Sequence, residues 1–161
     1  MKPRVYVETS VISYLTSVPP ENLRKAARQL SCRLWWELRT SEFDPFISRL
    51  VLDEASRGDP VAAERRLAVC ESVTLLPESD KARLLAERLI LAGAVPPTEP
   101  EDAMHIAIAT VEHMDFVATL NFAHFASPSA KFRLQVAISE LGYRPPLLAS
   151  PDELLESKND E

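Results

Sequence analysis

Three polar residues stand past apolar runs that lie far apart in the chain, and a fourth opens an apolar helix. Glu8 ends the run Val5-Tyr6-Val7, and Glu54 follows Phe46-Ile47-Ser48. Asp102 opens a long apolar helical pattern, and Asn121 follows Phe116-Val117-Ala118-Thr119. In an open α/β sheet, ligands bind at the carboxyl ends of the strands. Carboxylates gathered there, without a Cys/His cluster, suit a hard oxygen-preferring cation such as Mg²⁺ or Mn²⁺. The natural partner of such a cation is phosphate. Hydrolysing a phosphodiester means polarising its oxygens, generating hydroxide and stabilising the leaving alkoxide, all within reach of a bound divalent ion.

Each residue also has a plainer role. Glu54, beside Asp53, can lie on a solvated helix face. Asp102 can complement the positive end of a helix, a role compatible with metal binding. Asn121 can offer its carbonyl oxygen to the site or cap a short following helix. Thr119 can hydrogen-bond a site carboxylate or a turn. Glu101 is expected to face solvent. His105, three residues after Asp102, shares its helix face and reads as a core or supporting histidine. No Cys–His nucleophile pair is evident, and three glycines in the whole chain exclude a Walker or dinucleotide loop.

The elements that must position these residues alternate between strand and helix. Residues 4–8, 45–48, 73–76, 116–118 and Leu147-Leu148 read as short buried strands. Helices are expected from Ser10, as cap, to Thr16, from Glu21 to Arg39, and from Arg49 to Gly58. Asp59-Pro60 then starts a helix to about Ser72, Ser79 caps one reaching Gly93, and Glu99 or Pro100 opens one to Met114. Residues 129–141 form the last. In the longest, Leu23, Ala27, Leu30, Leu34 and Leu38 share one face. Arg24, Arg28, Trp35 and Arg39 form either a stripe able to meet phosphates and stack a base, or a basic face with Trp at a protein interface. The alternation implies right-handed crossovers and a parallel sheet covered on both faces.

The chain has 161 residues, 46% hydrophobic and 26% charged, which fits one domain over 1–155 with a polar tail over 156–161. No apolar stretch approaches the roughly 20 residues of a membrane span. The start, Met1-Lys2-Pro3-Arg4, runs straight into a strand, so no signal peptide is expected. Cys32 and Cys70 read as buried free thiols of a cytoplasmic protein. The net charge of −6 argues mildly against nucleic acid, although a bound cation offsets acid locally.

In order and spacing, "VYVETSVISYL", "ISRLVLDEAS", "EDAMHIAIATVEH", "VATLNFAHF" and "YRPPLLASPDELL" resemble the PIN-domain, VapC-like toxins of toxin–antitoxin pairs. The resemblance covers essentially the whole chain. It implies a three-layer α/β/α fold around a parallel sheet of four or five strands. It implies a metal-dependent ribonuclease with Glu8, Glu54, Asp102 and Asn121 as catalytic residues. Of these, Glu8, Glu54 and Asp102 would hold Mg²⁺ or Mn²⁺, with Thr9, Ser10 and Thr119 in support. It further implies an RNA substrate, a homodimer and an antitoxin partner. Two positions depart from the family pattern: Glu8 and Asn121 stand where that pattern has Asp. Glu8 reaches roughly 1 Å further, enough to re-aim a ligand, and Asn121 removes a charge.

Overall fold

The computed structural model describes residues 1–156, so the tail expected over 156–161 lies, except for Glu156, outside the described residues. Its five strands are β1 (Arg4–Val7), β2 (Asp44–Ser48), β3 (Thr74–Leu76), β4 (Phe116–Ala118) and β5 (Leu147–Ala149). Every pairing is parallel, in the spatial order β3-β2-β1-β4-β5. Parallel strands need long crossovers, and the helices supply them. Between β1 and β2 run α1 (Thr9–Thr16) and α2 (Leu23–Glu42). Between β2 and β3 run α3 (Arg49–Ala55) and α4 (Pro60–Cys70). Then α5 (Asp80–Leu91) and α6 (Pro100–Val111) lead to β4, α7 (Pro128–Glu140) leads to β5, and α8 (Pro151–Glu156) closes the described chain.

The order explains where a site can form. From β1 the chain steps to β2 and β3 on one side, then returns past β1 to β4 and β5 on the other. Right-handed crossovers in opposite directions place helices on both faces. The direction switches between β1 and β4, and a crevice opens there at the carboxyl ends of the strands. Central strand β1 is covered on both faces, which is why Val5, Tyr6 and Val7 are all fully buried. Glu8 and Thr119 are the first residues past β1 and β4, so both point into the switch point.

Local signals hold at most helix starts. Asp59 accepts from the Ala62 amide with Pro60 at the first helical position, and Ser79 accepts from the Ala82 amide. Helix α1 differs from the expectation: Glu8, not Ser10, is the N-cap, and its carboxylate accepts the Ser10 amide. An acid at a helix N-terminus is electrostatically favoured, and the longer Glu arm lets it bend back to its own helix. Cys32 and Cys70 are free and buried, and burial pushes their thiols up to about 12 and about 11.

The longest helix corrects the sequence reading. The face bearing Leu23, Ala27, Leu30, Leu34 and Leu38 points outward, with Leu23 86% exposed. The buried face carries Gln29, Cys32 and Trp35 instead. Trp35 is fully buried and packs its ring 5.7 Å from Phe43, while Gln29 donates to the Tyr14 and Ser17 carbonyls. Two faces of this helix have apolar spacing, and the one with the larger side chain and a partner for its amide won. Trp35→Ala should therefore destabilise the fold by about 3–5 kcal/mol, read as a lower urea midpoint at unchanged slope. Leu30→Ala on the exposed face should cost less than about 0.5 kcal/mol.

Candidate active site at the strand switch point

The site is built from two networks of buried hydrogen bonds at the carboxyl ends of β1, β2 and β4. In the first, Glu8, only 6% exposed, folds its carboxylate back over the start of α1. Its Oε2 accepts from the Ser10 amide at 3.1 Å, from the Ser10 hydroxyl and from Thr119 Oγ1 at 2.9 Å. Ser10 Oγ in turn accepts from the Leu120 amide at 2.8 Å, and Thr119 Oγ1 accepts from the Asn121 amide at 3.1 Å. Glu8 thus fastens the end of β1 to the end of β4 across the crevice.

The second network centres on His105, which is 1% exposed on α6. Its Nε2 is paired with Glu54 Oε1, and the same oxygen accepts from Thr9 Oγ1 at 2.8 Å. Its Nδ1 lies 2.5 Å from the Tyr6 hydroxyl, which lies 2.8 Å from Ser48 Oγ. Burial alone would raise the Glu54 carboxyl and lower the imidazole. Their mutual hydrogen bond and charge outweigh it, so Glu54 ends below its ordinary range and His105 above. Both directions favour an ionic pair; with the imidazole protonated, Nε2–H donates to Glu54 and Nδ1–H to the Tyr6 hydroxyl, which leaves Tyr6 to donate to Ser48. Burial holds the Tyr6 hydroxyl well above its ordinary value, which keeps it neutral in this chain.

Of the three carboxylates named from sequence, Glu54 touches His105, while the charges of Glu8 and Asp102 also favour its protonated form. Asp102, half-buried at the first turn of α6, faces His124 with Oδ2 and Nδ1 2.5 Å apart. Burial raises its carboxyl, His124 partly counters this, and neighbouring Glu99 raises it further by like charge. Asn121 caps a single π-helical turn, Phe122–Ala126, by accepting the His124 amide at 3.2 Å. Glu101 faces outward and pairs with Arg57 at 2.8 Å.

The donors suit a divalent cation by type, since Glu8, Glu54 and Asp102 all offer hard carboxylate oxygens. By position they are already engaged, since one oxygen each of Glu8 and Glu54 accepts two or three hydrogen bonds. Among the described residues, the one triad of metal-ligating side chains whose atoms come within 4.8 Å of one another is Glu99, Asp102 and His124.

Sequence reasoning missed Tyr6, Ser48, Glu99 and His124 as members of this region. Tyr6 and Ser48 lay inside apolar runs, where a lone hydroxyl reads as filling. His124 lies on a π-helical turn, which has no sequence signature comparable to a cap or a glycine. The basic stripe on α2 does not form a base platform through Trp35, because that ring is fully buried. Its cations cover other rings: Arg39 lies 4.2 Å from the Trp36 centroid and Arg28 lies 4.4 Å from that of Phe122.

No family model matches the chain, and no curated protein matches it in sequence. Seven chains of solved structures match it in three dimensions. One belongs to the crystal structure of VapBC2 from Rickettsia felis bound to a DNA fragment from their promoter. The match covers 91% of this chain and 98% of that one, with a TM-score of 0.58 and 15% identity. At that identity the likeness is one of fold. The chain has a PIN-like α/β/α fold, like that of its VapC-type structural neighbour, around an all-parallel five-stranded sheet.

Proposed function

We propose that the chain is a divalent-metal-dependent endoribonuclease and acts as the toxin of a toxin–antitoxin pair. What supports this reading is the position of Glu8 at the end of β1, tied to Thr119 at the end of β4, with Glu54 held beside them by Thr9 and His105 at the switch point of the sheet. In this reading Glu8, Glu54 and Asp102 hold Mg²⁺ or Mn²⁺. The bound ion supplies charge stabilisation at the phosphate and lowers the pKa of water.

The chain's own residues do the positioning. Thr9 and His105 fix one oxygen of Glu54, and Tyr6 fixes His105 from behind, so the Glu54 carboxylate has little rotational freedom. Ser10 and Thr119 fix Glu8 in the same way. Such supporting hydrogen bonds hold ligands in the geometry that the chemistry needs. Asn121 serves the site by holding the turn that brings His124 to Asp102. The exposed leucine face of α2 offers a surface for a second copy or for the antitoxin. The complex of the fold neighbour supports a protein partner for this chain. Among the described residues no helix is long and apolar enough to cross a membrane.

Incubating the purified chain with structured and unstructured RNA, in Mn²⁺, in Mg²⁺ and in EDTA, tests the assignment. Cleavage in the first two and none in the third is expected. Mn²⁺ should also protect the fold. At 100 times its dissociation constant it adds about 2.7 kcal/mol, roughly 5–10 °C in Tm for a chain of this size. Glu54→Gln should lower that gain.

A second reading, a PIN-fold module with little catalysis that binds RNA or a protein, is favoured by one observation. Glu8 and Glu54 are tied by internal hydrogen bonds, and the His105 imidazolium already neutralises charge at Glu54. RNA retained without cleavage, and no stabilisation at millimolar Mn²⁺, would select it.

A further inference from the structure

The triad Glu99, Asp102 and His124 stands apart from the two hydrogen-bonded networks. Glu99 is the N-cap residue of α6 but makes no side-chain capping bond, so its carboxylate is not spent on the helix. Asp102 sits one turn further on, and His124 reaches it from the π-helical turn. The three ligand atoms come within 4.8 Å of one another. Asp102 Oδ2 and His124 Nδ1 are buried and face each other at 2.5 Å, with no hydrogen bond to any third group. A cavity of about 70 Å³ adjoins the pair, lined by Asp102, His124, Val95, Phe125 and Arg133 among others.

We propose that Glu99, Asp102 and His124 form a mixed nitrogen–oxygen site for a first-row transition ion of the Zn²⁺ class, distinct in donor set from an all-carboxylate Mg²⁺ site. Two carboxylates supply charge, and one imidazole supplies the softer donor that Mg²⁺ does not favour. The backbone makes the site possible. The π turn inserts an extra residue into its hydrogen-bonded ring, and Asn121 caps it, so His124 projects toward α6. The His124 and Phe125 rings stand nearly perpendicular, with centroids 6.5 Å apart. The proposal shares Asp102 with the ribonuclease reading but does not depend on RNA cleavage.

Calorimetric titration of the full chain with ZnCl₂ and, separately, MgCl₂ tests it. One equivalent of Zn²⁺ is expected. His124→Gln should weaken Zn²⁺ at least ten-fold and Mg²⁺, which gains nothing from an imidazole donor, far less, so the ratio of the two affinities falls by five-fold or more. Glu99→Gln, at a partly exposed helix end, should also weaken Zn²⁺ without disturbing the fold, as circular dichroism would check. An unchanged Zn²⁺/Mg²⁺ ratio in His124→Gln overturns the proposal, as does an absence of Zn²⁺ binding in the wild type. Zn²⁺ binding that is lost in Glu54→Gln and intact in His124→Gln also overturns it. That outcome assigns the ion to Glu8, Glu54 and Asp102 and leaves the ribonuclease reading standing.

Discussion

Glu54→Gln is expected to reduce metal-dependent RNA cleavage by at least 100-fold in a chain that stays folded but is less stable, since His105 loses its partner. Glutamine keeps the volume of Glu54 and can still accept from Thr9 through its carbonyl oxygen. It removes a negative charge that a divalent ion needs, and it leaves the His105 ring without an anionic partner. Asp102→Asn should have a similar effect, because the same argument of charge and volume applies at the start of α6. Losses of 100-fold or more are ordinary when a preorganised electrostatic group is deleted from an active site. Single-turnover cleavage of one labelled RNA by wild type and by both variants, each checked by circular dichroism, measures the effect. Wild-type rates in both would remove these carboxylates from the mechanism.

The second large effect concerns stability. His105→Leu should cost about 3–5 kcal/mol, since removing one member of a buried ion pair strands the other. Glu54 retains 21% side-chain exposure, which favours the lower end of that range. The pair also predicts a pH window. His105 is raised above its ordinary 6.5, so its contribution is complete below that value and fades as pH rises through the raised one. Glu54 is lowered below its ordinary 4.5, so its contribution is complete above that value and fades as pH falls through the lowered one. The stability difference between wild type and His105→Gln should therefore be largest between about pH 4.5 and 6.5 and shrink on both sides. Urea midpoints across pH 3–9 would show this; a difference that is flat with pH would mean that His105 is neutral in the fold.

Much of the architecture was legible because strands and sites leave local marks. Short apolar runs located β1, β2 and β4, the first of them ending in an acid, and the alternation with helices implied a parallel sheet. The strand order, which creates the switch point, has no local mark and came only from the packed chain. The buried face of α2 was misread because leucine spacing is equally regular on the exposed face. Only the size of Trp35 and the partners of Gln29 decide between the two faces. Glu8 illustrates a further limit. Its position after β1 was readable, but its bending back to cap α1 depends on Ser10 and on Thr119, a residue more than a hundred positions away. His105 was readable as buried and near Asp102. Its pairing with Glu54 depends on α3 and α6 meeting over the sheet, which spacing does not report. The π turn that carries His124 left no signal at all.

The central claim is that water, activated among the carboxylates at the switch point, opens the phosphodiester. The most direct measurement is mass spectrometry of the RNA fragments produced in Mn²⁺ and H₂¹⁸O. Hydrolysis by activated water predicts one ¹⁸O in each newly formed terminal phosphate, no 2′,3′-cyclic phosphate, and no fragments once EDTA is added. Fragments ending in 2′,3′-cyclic phosphate would show attack by the RNA's own 2′-hydroxyl, and fragments that form equally well in EDTA would show cleavage without a metal; either contradicts the account.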